Sequence, residues 1–188
     1  METLYKLTDQ NNQSHGGCQW GKGVEHTALG LGELCTEGWL HAYRHPVLAL
    51  LMNPAHAAIE KPRLWLAEGE VGKDDGTKVG CTSLRTIKRL RKPRITKRQR
   101  IRFAVLCAKA VLPIFESRYP DDARPRQSIA KAQEWLKAPT KSNVRAAYAA
   151  AFATYAAASA AYAAYAAASV YAGTALELVD LAHKAMEE

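Results

Sequence analysis

Apolar and polar positions alternate at the start of the chain, and Leu4, Tyr5 and Leu7 within Thr3–Leu7 predict a first strand. Asp9–Gly32 lacks any period and is rich in Gly, Asn, Gln and His, which predicts loops and short hairpin pieces around Trp20. Glu33–Cys35 and Gly38–Tyr43 are short strand candidates. Pro46 suits the first position of a helix over Val47–Met52, which Asn53-Pro54 should stop. Arg63–Gly69 reads as a strand through Leu64, Trp65 and Leu66, and Asp74-Asp75-Gly76 reads as a turn. Val79–Leu90 predicts one or two further strands, although Leu84, Ile87 and Leu90 stand three apart and break strict alternation.

After Lys92-Pro93-Arg94 the period becomes helical. Thr96-Lys97-Arg98-Gln99 matches a capping box, and Ile101, Val105, Leu106, Ala108 and Leu112 follow at helical spacing up to Pro113, which should kink or split the helix. Asp121–Arg126 predicts a loop that opens a second helix running to about Lys137. Pro139-Thr140-Lys141-Ser142 should cap a third, Ala/Tyr-rich segment, with a break near Gly173 before Leu176–Met186. The expected fold class is therefore α+β. A small mixed or antiparallel sheet with a short helix occupies residues 1–94, and an all-α, Ala-rich helical bundle occupies residues 95–188.

Composition sharpens two places. Of 188 residues, 34 are Ala, so the 48% apolar content hides a thinner core than it suggests. Residues 146–176 carry no formal charge, yet 18 of these 31 are Ala, and this weakly apolar run predicts a soluble helix and no membrane contact, with a transmembrane span as the runner-up reading. Within it Tyr148, Phe152, Tyr155, Tyr162 and Tyr165 form a stripe, read either as the packing face of the bundle or as a seam for a partner or a second copy. The net charge of +8 is likewise local. Arg85, Lys88, Arg89, Arg91, Lys92, Arg94, Lys97, Arg98, Arg100 and Arg102 lie in one run without an acid, and the rest of the chain holds 16 bases against 18 acids. Such a run suits an anionic partner, either an acidic protein face or the phosphates of a nucleic acid. It contains no interleaved aromatics for base stacking, so any nucleic-acid contact should be independent of sequence.

Candidate chemistry is sparse. Met1–Tyr5 has neither a basic nor an apolar region and does not read as a signal peptide, and Cys18, Cys35, Cys81 and Cys107 are widely spaced, which predicts reduced thiols and a cytoplasmic protein. His41 and His45 stand four apart without Cys-x-x-Cys or His-Glu-x-x-His, so neither metal nor any other cofactor is expected. No Gly-x-Ser-x-Gly and no P-loop occurs, and the expected protein is not an enzyme.

Residues 4–107 carry Tyr5-Lys6, Leu34-Cys35-Thr36-Glu37-Gly38-Trp39-Leu40-His41-Ala42, Ala67-Glu68-Gly69-Glu70 and Lys78-Val79-Gly80-Cys81. This Cys-x-x-Gly-aromatic-x-His-Ala pattern resembles an uncharacterised domain family of phage and prophage proteins. The same order of segments is similar to ADP-ribosyltransferase cores, and that likeness implies a site at Tyr5, His41 and Glu70; the Arg or His of the first strand and the Ser-Thr-Ser segment are both missing. Residues 104–188, through Val111–Glu116, Asp121–Arg126, Ile129 and Trp135-Leu136, resemble Ala-rich helical proteins assigned to bacterial immunity. Together the resemblances imply a mobile-element protein that acts by binding. The leading expectation is an anti-CRISPR-like inhibitor of a host defence complex. The alternatives are an immunity protein that sequesters a toxin and an ADP-ribosyltransferase-like enzyme.

Overall fold

A computed structural model describes residues 1–139 and 178–187, which divide into two compact units, Met1–Arg94 and Ile95–Glu188. The first unit is built from strands β1 (Glu2–Thr8), β2 (Glu25–Thr27), β3 (Leu40–Ala42), β4 (Arg63–Asp74) and β5 (Val79–Leu90), with helix α1 (Pro46–His56) between β3 and β4. All pairings are antiparallel, in the order β1-β4-β5-β2, and β3 pairs with β5 alongside. The chain is thus an antiparallel sheet followed by helices, a mixed α+β protein.

Twelve-residue strands β4 and β5 form the central hairpin, and Asp74-Asp75-Gly76 turns it. The Asp74 carboxylate accepts from Gly76 N at 2.7 Å, and the Asp75 carboxylate accepts from Thr77 N and Lys78 N at 2.8 and 2.9 Å. Gly76 has φ 77°, which only glycine adopts without strain. The register slips where Leu66 faces Lys88 but Ala67 faces Thr86, leaving Ile87 as the extra residue. That bulge is why Leu84, Ile87 and Leu90 stand three apart on a single strand. Further slips at Thr82 and Gly72 help the sheet to curl. It closes where Tyr5 and Tyr43 exchange hydrogen bonds of 2.8 and 2.9 Å, so β3 touches β5 on one side and β1 on the other. Leu4, Trp20, Ala42, Ala67, Val79, Cys81 and Leu84 fill the interior.

Three expectations change at the level of elements. Glu33–Cys35 is a turn, tied by Thr36 N to Glu33 O at 3.0 Å. Helix α1 runs past Asn53-Pro54 to His56 because Asn53 carries the chain onward: its carbonyl accepts from Ala57 and Ala58, and its side chain bonds Ile59 in both directions at 2.9 and 3.2 Å. Helix α2 (Lys97–Arg118) contains Pro113 without being split.

In the second unit α2 packs on α3 (Arg124–Lys137) and on α4 (Leu178–Met186). The capping box is formed: Thr96 Oγ1 accepts from Gln99 N at 3.2 Å, and Thr96 N donates to Gln99 Oε1 at 2.9 Å. The same Gln99 amide donates to Met186 O at 3.4 Å, so the start of α2 also holds the end of α4. Ile101, Phe103, Val105 and Ala108 of α2 are buried, as are Ile129, Ala132 and Trp135 of α3 and Leu178, Ala182 and Ala185 of α4. No helix among the described residues is long and apolar enough to cross a membrane.

Candidate functional site

The basic run is distributed over two kinds of backbone. Arg85, Lys88 and Arg89 lie on β5 and are exposed, as are Arg91, Lys92 and Arg94 in the extended segment that follows. Lys97 is exposed on the first turn of α2, whereas Arg98, Arg100 and Arg102 are half-buried and each has an interaction partner. The first turn of α2 holds no acid, so its basic side chains sit at the positive end of the helix dipole. An anion near that turn would relieve the repulsion. Lys92 Nζ donates to Pro62 O at 3.3 Å and anchors the segment beyond β5 within the first unit.

Between α2 and α3 the chain makes the Tyr119–Arg126 loop. Arg124 closes on the Asp122 carboxylate at 2.6–3.1 Å, which holds Asp122 down to about 2. Arg126 reaches back to Glu116 at 2.6 Å. Beside these pairs an open cleft of about 540 Å³ is lined by Tyr119, Pro120, Asp121, Asp122, Ala123, Arg124 and Gln127, with Tyr119 exposed. The Asp-x-Arg-Pro-Arg stretch therefore shapes a loop surface, with Pro125 in the first turn of α3.

The three residues of the transferase-like reading stand on different strands. Tyr5 pairs through its backbone with Tyr43, the His41 ring bonds the Leu34 carbonyl, and the exposed Glu70 accepts from Thr82 Oγ1 at 3.2 Å. Among the described residues no hydrogen bond joins them. Burial lowers the pKa of His41. No cluster of three or more His, Cys, Asp or Glu able to hold a metal lies among the described residues. The stripe of Tyr148, Phe152, Tyr155, Tyr162 and Tyr165 lies outside the described residues.

Other features were not legible in the pattern. Lys6 sits inside the sheet with 6% exposure, its Nζ donating to His41 O at 2.8 Å and lying 4.9 Å from the Trp20 ring centre. Burial pulls it down to about 8, with Cys18 and Cys81 nearby working weakly against that shift. Leu29 and Leu31 are exposed on a loop pinned by Ala28 N to Thr82 O, Gly30 N to Gly38 O and Trp39 Nε1 to Gly32 O, at 2.8, 2.9 and 3.1 Å. Lys78 approaches the exposed thiol of Cys35.

A family model described as "Imm-5 like putative immunity protein" matches residues 93–187. The chain belongs to this family. The Imm-5 like domain spans the helical half and begins at Pro93, at the edge of the first unit; the sheet-bearing half has no family match. Neither a curated protein nor a solved structure matches the chain. The immunity-type resemblance of the helical half is thus shown as a family. An Imm-5 like domain points to a protein partner and a role in protein interaction.

Proposed function

We propose that the protein is a non-enzymatic immunity protein that neutralises a bacterial toxin by binding it. The observation that carries this reading is the Imm-5 like domain over residues 93–187. The loop surface between α2 and α3 supports it, because Tyr119 stands exposed beside an open cleft with carboxylates at its rim. Tyrosine offers apolar area and a hydroxyl together, a combination enriched at protein interfaces. The test is growth rescue. Genes that neighbour this one are expressed singly in a bacterial host, with and without the chain. The reading expects one of them to arrest growth, this chain to restore it, and the two proteins to co-purify. Arrest that the chain fails to relieve, or the lack of any toxic neighbour, would overturn it. NAD consumption that disappears in Glu70→Gln would overturn its non-enzymatic part.

The exposed basic residues of β5 and the segment after it favour a second reading, an anti-CRISPR-like inhibitor that meets a host nucleoprotein through an anionic face. It expects nucleic acid to co-purify at low salt and to be lost at high salt. Charge reversal at Arg89, Arg91, Arg94 and Lys97 should abolish that salt-dependent binding. Binding that survives the reversal would rule out this run as the contact.

A further inference from the structure

Cys35 and Lys78 stand apart from everything used above. Cys35 is an exposed free thiol in the turn between Gly32 and Trp39. Lys78 ends the β4–β5 turn and is 8% exposed, so nine-tenths of this charged side chain is out of water. Its Nζ lies 3.0 Å from Cys35 Sγ. Among the described residues no carboxylate pairs with this ammonium, and Oδ1 of neighbouring Asp75 is taken up by Thr77 and the Lys78 backbone. The Cys35 sulfur therefore lies within bonding reach of a buried amine that no carboxylate holds elsewhere. Both partners are held in place. Thr36 ties the Cys35 turn to Glu33 through its N–H and its hydroxyl, at 3.0 and 2.7 Å, while the Asp75 turn and the Val79–Ala42 pairing fix Lys78.

We propose that Cys35 is a peroxide-reactive thiol and that Lys78 captures its oxidised form as a sulfur–nitrogen cross-link. In the first step the Cys35 sulfur attacks one oxygen of hydrogen peroxide, the O–O bond breaks, and the thiol proton joins the departing oxygen, which leaves as water. Sulfur is oxidised by two electrons to the sulfenic acid, and the peroxide is reduced. In the second step the Lys78 amine, after giving one proton to solvent, attacks that sulfur. The S–O bond breaks, and the hydroxyl departs as water with a second proton from nitrogen. The linked protein is lighter than the starting chain by two hydrogen atoms. The bond would staple the 33–38 turn to the β4–β5 turn, and a thiol reductant would reverse it.

Peptide mapping of the full chain after hydrogen peroxide treatment tests this. Trypsin does not cleave after a linked lysine, so residues 23–44 should appear joined to an uncleaved 74–85 peptide, two hydrogens light. The link should vanish on reduction, in Cys35→Ser and in Lys78→Met. In Lys78→Met, Cys35 should stop at a sulfenic acid that dimedone labels. A disulfide from Cys35 to Cys81 would instead leave cleavage after Lys78 intact. That result, a Cys35 that reacts no faster than Cys18, or a Cys35 that oxidises without engaging Lys78, would overturn the proposal. Wild-type mapping alone decides it should either variant fail to fold.

Discussion

Lys6→Met replaces a buried ammonium with an apolar side chain of similar length. The structure gives the size of the effect. Lys6 holds its proton only up to about 8 in the folded chain, against 10.5 for a free lysine, because burial removes water from the charge. A depressed folded value means that the unfolded chain binds the proton more tightly. The fold therefore carries a penalty that is complete below about pH 8 and relieved as pH rises toward 10.5. At about 1.4 kcal/mol per unit, the shift corresponds to about 3 kcal/mol. The hydrogen bond to His41 O and the contact with Trp20 add a contribution that does not depend on this titration. Urea unfolding of wild type and Lys6→Met, measured from about pH 7 to about pH 10.5, reads the lysine together with the Cys81 thiol coupled to it, because the titrations of Tyr43 and Cys107 are common to both proteins. The stability difference in favour of Lys6→Met should shrink by about 3 kcal/mol across that range. A difference that stays flat with pH would show that Lys6 keeps water around its charge, and the reasoning would fail.

Other substitutions probe separate parts of the chain. Thr96→Ala removes the capping hydroxyl of α2 and should cost about 1 kcal/mol in thermal unfolding of the second unit, with Thr96→Ser restoring most of it. Gly72→Ala would set a Cβ 2.6 Å from the Trp39 ring, which is pinned by its bond to Gly32 O, and should destabilise the first unit by about 1–3 kcal/mol with a shift in tryptophan emission. His56 stacks on Tyr43 and accepts or donates at its hydroxyl over 3.1 Å, and burial lowers it to about 4. Its folded value lies below the unfolded 6.5, so stability should fall as pH drops from about 6.5 through 4, and His56→Gln should flatten that limb of the urea midpoint against pH.

Local chemistry was legible wherever a short segment decides its own shape. The Asp74-Asp75-Gly76 turn, the Thr96–Gln99 capping box and the Pro46 start of α1 all depend on neighbours within four residues. Partners remote in sequence were not legible. Ile87 looked like a break in alternation because only the register against Leu66 and Ala67 shows it to be a bulge. Pro54 looked like a helix stop, whereas the bonds from Asn53 to Ile59 carry the chain past it. Lys6 alternates with Tyr5 and Leu7 as any strand lysine on a wet face would, and closure of the sheet between Tyr5 and Tyr43 puts it inside instead. Lys78 and Cys35 are 43 residues apart, so no spacing rule could join them. In the helical half the Imm-5 like character was readable from the Asp-x-Arg-Pro-Arg loop and the aliphatic positions around it.

The ring formed by β1, β4, β5 and β3 also sets when the first unit can fold. Strand β1 must find β4 about sixty residues later, and β2, β3 and β4 all depend on β5, the last strand made. Few of these pairings are local apart from the β4–β5 hairpin, so loop-closure entropy must be met before most contacts form, and folding should be slow for a unit of this size. On the ribosome β2 and β3 would wait for their β5 partner until Leu90 has emerged, whereas β1 can pair with β4 earlier. A nascent chain halted before Val79 would expose Leu4, Trp65 and the edges of β1 and β4, and would need a chaperone at that stage.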